Sequence, residues 1–248
     1  MPYTLEVCVD SVESAVAAEK GGATRLELCA NLIIGGTTPT MALYDAVCEA
    51  VALPVNVLIR PRFGDFLYTD SEYEIMCREI DAFARRGVHG IVTGALCPDG
   101  RLDVKKMTGF RQAACGVHMT LHRAFDVCRD PLETLEEALA LGVDTVLTSG
   151  QQANAWAGRA LIGTLRASAA NRAEILIGGG VNGSVIRDFR QLFPDANAFH
   201  LSGKTALDSG MTYRNEAVYM GLPGISEFQI WRTNADAIQA ASEALREA

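Results

Sequence analysis

Short aliphatic runs alternate along this chain with stretches whose apolar positions recur at three- and four-residue spacing. The runs at Leu5–Cys8, 24–30, Val55–Arg60, Gly90–Ala95, Val117–Leu121, Thr145–Thr148, Ile175–Ile177 and Phe199–Leu201 predict eight strands. Helical spacing fills the intervals: Ser11–Lys20, Pro39–Val51, Ser71–Gly87, Val104–Ala114, Pro131–Leu141, Trp156–Ala170, and a helix capped by Asn182. Caps punctuate these stretches, with Asp10 three residues before Glu13, Ser71 three before Glu74, and Asp130-Pro131-Leu132-Glu133 opening the fifth helix. Gly21-Gly22 and Gly87 stop the first and third.

Strictly alternating strand–helix units of about 30 residues specify parallel strands joined by right-handed crossovers. Eight of them, with no linker or low-complexity break, predict an α/β fold: a single-domain (β/α)8 TIM-type barrel over residues 1–248. An open doubly wound sheet is the competing architecture, but it seldom needs eight even units. Residues 204–225 have no regular pattern and read as a long loop over the mouth, while 226–247 reads as the closing helix.

Barrel sites are built at the C-terminal ends of the strands, and the polar residues of this chain sit late in its strands. Glu6-Val7-Cys8 and Glu27-Leu28-Cys29 put an acid and a thiol on one face of each of the first two strands, because strand side chains alternate. Arg60 and Arg62, His122 and Arg123, Thr148 and Ser149, and His200 and Ser202 end later ones. Alternation turns Glu6, Cys8, Glu27, Cys29, Arg60 and His122 toward the barrel mouth. Unpartnered buried charges are too costly to keep, so the acids of strands one and two are expected to answer the arginines of strand three. That pairing could equally be a plain structural plug of the barrel. His118, deeper on the face of His122, reads as a satisfied core histidine, and His89 as an exposed turn residue.

Composition narrows the partners. With 22 basic and 30 acidic residues the formal charge is -8, which opposes nucleic-acid binding and gives no basic membrane stripe. Neither a membrane-length apolar run nor a signal-like N-terminus is present, so the expected location is the cytoplasm. Seven scattered cysteines do not form a disulfide framework, and each could be a small buried hydrophobe. Trp156 and Trp231 could anchor a homodimer or merely pack.

Taken together, Glu6-Val7-Cys8, Glu27-Leu28-Cys29 with Gly35-Gly36 and Thr38-Pro39, Arg60-Pro61-Arg62 with Gly64-Asp65-Phe66, and His122-Arg123-Ala124-Phe125-Asp126 resemble the copper homeostasis CutC family. Leu147-Thr148-Ser149-Gly150, Gly178-Gly179-Gly180, Phe199-His200, Ser202 and Met211 with Tyr213-Arg214-Asn215 extend the resemblance over nearly the whole chain. Phe63 departs from the glycine expected in the arginine-proline-arginine loop. The resemblance implies a cytoplasmic barrel named for copper tolerance and proposed to bind Cu(I).

Two chemistries compete for the mouth. Soft thiolates select Cu(I), and Cys8 and Cys29, at matching height after each glutamate, could supply a two-sulfur site. The alternative is a barrel enzyme or binder of a small anionic, even phosphorylated, metabolite. In that reading Gly179, Gly180, Ser202 and Lys204 with Arg62 hold the anion, Glu6 or Glu27 is a general base and His122 the acid, beside Arg60. Strands one to seven end without a lysine, which argues against Schiff-base chemistry.

Overall fold

The computed structural model describes residues 3–247 apart from 216, 219, 222 and 223. Its eight parallel strands are β1 (Thr4–Val9), β2 (Arg25–Leu28), β3 (Val55–Leu58), β4 (Gly90–Thr93), β5 (His118–Leu121), β6 (Thr145–Thr148), β7 (Glu174–Gly178) and β8 (Ala198–Leu201). Each pairs with the next, and β8 returns to β1 with His200 opposite Glu6, closing the barrel. Around it lie α1 (Val12–Lys20), α2 (Met41–Ala50), α3 (Asp70–Arg86), α4 (Val104–Ala113), α5 (Pro131–Ala140), α6 (Arg159–Ala169), α7 (Gly183–Leu192) and α8 (Ala235–Arg246). The expected (β/α)8 architecture is therefore the observed one.

The main core lies between sheet and helices. Leu5, Val7, Leu26, Leu28, Val57, Ile59 and Ile177 point outward from the strands and meet Phe83, Phe110 and Phe189. Removing one such side chain from water is worth about 1.5–3 kcal/mol. The barrel interior is different. Arg25, Glu6, Glu27, Asn56 and His200 fill its first, second, third and eighth strands with buried polar groups, where barrels more often carry branched aliphatics.

Three local expectations shift. The capping box of α3 belongs to Thr69 and Glu72, not Ser71 and Glu74, because the Glu72 carboxylate both caps Thr69 N–H and is held by Arg62. Ser11, rather than Asp10, caps α1. The largest difference is at the end of the chain. Residues expected to be loop and helix instead form an antiparallel ribbon of β9 (Lys204–Asp208) and β10 (Gln229–Thr233), with Trp231 opposite Ala206. The run Gln229-Ile230-Trp231-Arg232-Thr233 is rich in β-branched and aromatic residues. The closing helix accordingly starts only after Asn234, whose side chain caps it. Part of the expected 204–225 loop, at 216, 219, 222 and 223, lies outside the described residues.

Candidate functional site

The mouth holds a cavity of about 350 Å³. Cys8 and Cys29, Glu27, Arg60, His122, His200, Ser202 and Lys204 all reach it, with Leu32, Leu58, Phe66 and Leu147 as apolar walls. Its two sides are built differently.

On the side of β1, β2 and β8, buried polar groups gather around Glu6. Arg25 Nε donates to Glu6 Oε2 at 2.6 Å, Asn56 Nδ2 donates to the same oxygen at 3.1 Å, and His200 Nδ1 lies 2.9 Å from Glu6 Oε1. Arg25 reaches on to Glu174 at 2.9 Å. Glu6 is thus the hub of the interior. Burial pushes its carboxyl upward, but His200 and Arg25 outweigh that and hold it down at about 2. Glu27 has no such donors among the described residues. Burial, reinforced by the Glu6 charge and opposed by His200, pushes it up to about 7. His200 lies with Nε2 3.6 Å from Glu27. Burial alone would depress its basicity, yet the Cys8 sulfur and the Glu6 and Glu27 carboxylates hold it well above the ordinary histidine value.

Cys8, Glu27 and His200 bring their ligand atoms within 4.8 Å of one another, the one such group among the described residues. Cys8 and Cys29 do open into a shared cavity, but not at matching height. The β1–β2 register sets Cys8 opposite Glu27, so Cys29 stands two residues further up its strand. Burial, together with Glu27 and Cys8, pushes the Cys29 thiol well above its usual value.

The side of β3 and β5 has a different logic. Arg60 does not answer Glu6 or Glu27. Its Nη1 donates to the carbonyls of Gly35 and Gly36, each at 3.1 Å, and its Nη2 to that of Gly64 at 2.8 Å. The reason is register: Asn56 is the residue of β3 opposite Glu27, which leaves Arg60 above the acids among loop carbonyls. Among the described residues no carboxylate lies within ion-pairing distance of this guanidinium, although Arg60 is only 9% exposed.

His122 stacks against Phe66 with ring centroids 4.9 Å apart. Its Nδ1 accepts from Ala124 N–H at 3.2 Å, which makes the neutral ring an Nε2–H tautomer. That Nε2 is buried and, among the described residues, has no hydrogen-bond partner. Burial and the Arg60 charge lower His122 to about 3, which favours the neutral ring, a donor through Nε2–H. Gly94 makes the space: a Cβ there would stand 2.9 Å from the ring.

Of the expected anion residues, Ser202 and Lys204 line the cavity, and Lys204 Nζ lies over the Trp231 ring at 5.2 Å. Arg62, Gly179 and Gly180 do not. Arg62 is spent on Glu72 at 2.6 Å, Asp65 at 3.0 Å and loop carbonyls. Gly179 turns beside Ser149 and Arg123, with its carbonyl accepting from Ala155. Of three further residues central to the site, Arg25 carries no sequence signal of its own, while His200 and Arg123 are legible only as polar strand ends without a role. His200 and Arg25 become visible once β8 is allowed to close on β1 and Arg25 is counted on the face of Glu27. Arg123 reaches the rim because Asp126 holds its Nε at 2.6 Å and Ser149 Oγ accepts from its Nη2 at 2.9 Å. Asp126 is itself fixed by Thr148 and by the amides of Ser149 and Gln151.

Residues 3–205 match the model of the CutC family. A human copper homeostasis protein cutC homolog is 44% identical over 221 residues, covering 88% of this chain and 80% of its own. A CutC family protein of Parabacteroides distasonis is 43% identical over 245 residues, covering 97% and 99%. The solved structure of CutC from Streptococcus agalactiae is 28% identical with a TM-score of 0.75, covering 81% of this chain and 98% of that one. A phosphoribosylanthranilate isomerase from Pyrococcus furiosus, 12% identical with a TM-score of 0.53 over 99% and 100% of the two chains, shares the barrel alone.

Proposed function

This chain belongs to the CutC family, and from that premise we propose that it serves copper homeostasis by binding copper(I) at the mouth of its barrel. The observation that carries the reading is the convergence of Cys8, Glu27 and His200, with ligand atoms within 4.8 Å of one another. Cys8 is the anchor, because a soft thiolate suits copper(I) better than imidazole or carboxylate does. Cys29, on the same cavity wall, is the second soft donor.

Copper is cargo in this reading, and it exchanges with protons. Cys8 Sγ and His200 Nε2 must each give one up to become ligands. Glu6, hydrogen-bonded to Nδ1, orients the His200 ring as an outer carboxylate does in metal–histidine sites. Glu27 is a hard donor and adds little for a soft ion; it stands by to take up a displaced proton. Such a site works where thiols stay reduced, which favours the cytoplasm.

Anaerobic titration with copper(I) against a competing chelator tests the reading. Cys8→Ser should weaken binding by roughly 100-fold or more, and Cys29→Ser by less. Equal, weak binding by wild type and both variants would remove copper from the mouth.

A further inference from the structure

Arg60 and His122 present an unusual pair of surroundings. A guanidinium 9% exposed donates to three loop carbonyls, has the Tyr68 hydroxyl beside it, and meets no carboxylate among the described residues within ion-pairing distance. Neutral carbonyls can take its protons, but they cannot cancel its charge. Buried cations without a counter-charge are costly. Next to it, His122 is 5% exposed, its Nδ1 is committed to Ala124, and Nε2 has no acceptor among the described residues. Phe66 ties the two together, lying under the Arg60 guanidinium at 5.1 Å and against the His122 ring at 4.9 Å. All three residues line the cavity, and none is among the proposed copper ligands.

We propose that this wall is the seat of a small organic carboxylate: its oxygens accept from His122 Nε2 and supply the counter-charge Arg60 lacks, while its apolar body lies against Phe66, Leu58 and Leu147. The cavity suits such a ligand. At about 350 Å³ it is at the lower end for small-molecule sites, and aliphatic and aromatic side chains face the polar pair. Lys204 and Arg123 at the rim favour entry of an anion. A phosphate monoester fits less well. It needs many converging donors, and the residues that could add them, the Gly179-Gly180 turn and Arg62, stand outside the cavity or are already paired. The carboxylate seat does not depend on the copper reading, because no residue is shared.

Copper-free protein with ¹⁵N-labelled histidine, titrated separately with isovalerate, benzoate and inorganic phosphate, tests the assignment. At least one of the two carboxylates should shift the His122 Nε2 resonance saturably, and calorimetry should give the same affinity. His122→Phe, which keeps a ring on Phe66, should bind that acid about tenfold more weakly or worse. Cys8→Ser should bind it as wild type does, so that loss of copper and loss of acid binding report on separate sites. A His122 resonance unmoved by either acid overturns the proposal even if the Phe variant fails to fold. So does equal acid affinity in His122→Phe, or phosphate binding as tightly as the carboxylates.

Discussion

Two histidines line one cavity, both buried, and their surroundings push them in opposite directions. His200 lies between Glu6 and Glu27 and beside Cys8, and is held in the charged form. His122 has Arg60 for a neighbour and Phe66 on its face, and is held neutral. Burial opposes protonation at both, so burial cannot explain the difference. The sign of the neighbouring charge does. The same contrast separates the two walls: on one, acids and bases answer one another around Glu6 beside the two thiols, and the other carries a cation and a donor that no acid or acceptor among the described residues answers.

The comparison breaks most visibly at its hub. Glu6→Ala would take from buried Arg25 and His200 the carboxylate they share, leaving Arg25 to Glu174 and His200 to Glu27, and should cost about 3–5 kcal/mol in urea unfolding. A loss below 1 kcal/mol would mean that the network is incidental to stability.

The pH dependence of stability comes next. Glu27 is held up at about 7 from an ordinary 4.5, so the folded state binds its proton more tightly than the unfolded chain does. Its contribution is full below pH 4.5 and is lost as pH rises through 7, by about 3 kcal/mol. Glu27→Gln should flatten that slope. His122 has the opposite sign: it is depressed from 6.5 to about 3, so it withdraws stability as pH falls through that interval.

Histidine titration by NMR sharpens the contrast without any substitution. At neutral pH the His200 ring should carry both protons and His122 only the Nε2 proton, and His122 should stay neutral well below pH 5. Finding both rings neutral at pH 7 would erase the distinction between the walls. The smallest effect is expected for His122→Phe, which leaves the buried Ala124 N–H without its acceptor and should cost about 1–3 kcal/mol.

Much of this was legible in the sequence. Alternation within Glu6-Val7-Cys8 and Glu27-Leu28-Cys29 put acids and thiols inside the barrel, and eight even units gave its closure. What periodicity could not supply was stagger. A barrel shears its strands past one another, so Cys8 faces Glu27 instead of Cys29, and Arg60 rises clear of the acids it was expected to meet. Nor could spacing reveal that His200, almost two hundred residues from Glu6, is its nearest neighbour across the seam. The β9–β10 ribbon was missed because one half of it, Lys204–Asp208, is short and exposed, and its partner strand was read as the first turns of a helix.

The seam where β8 meets β1 has a consequence for how the molecule is made. Glu6 and Arg25 leave the ribosome well before His200, which follows Glu6 by 194 residues. Domains commonly begin to fold during synthesis, but the acid cluster inside this one lacks its balancing imidazole until the eighth strand arrives. Completion of the interior is therefore a late event in the life of the nascent chain, and a stalled fragment ending before His200 would carry Glu27 and Glu6 without the cation that lies between them.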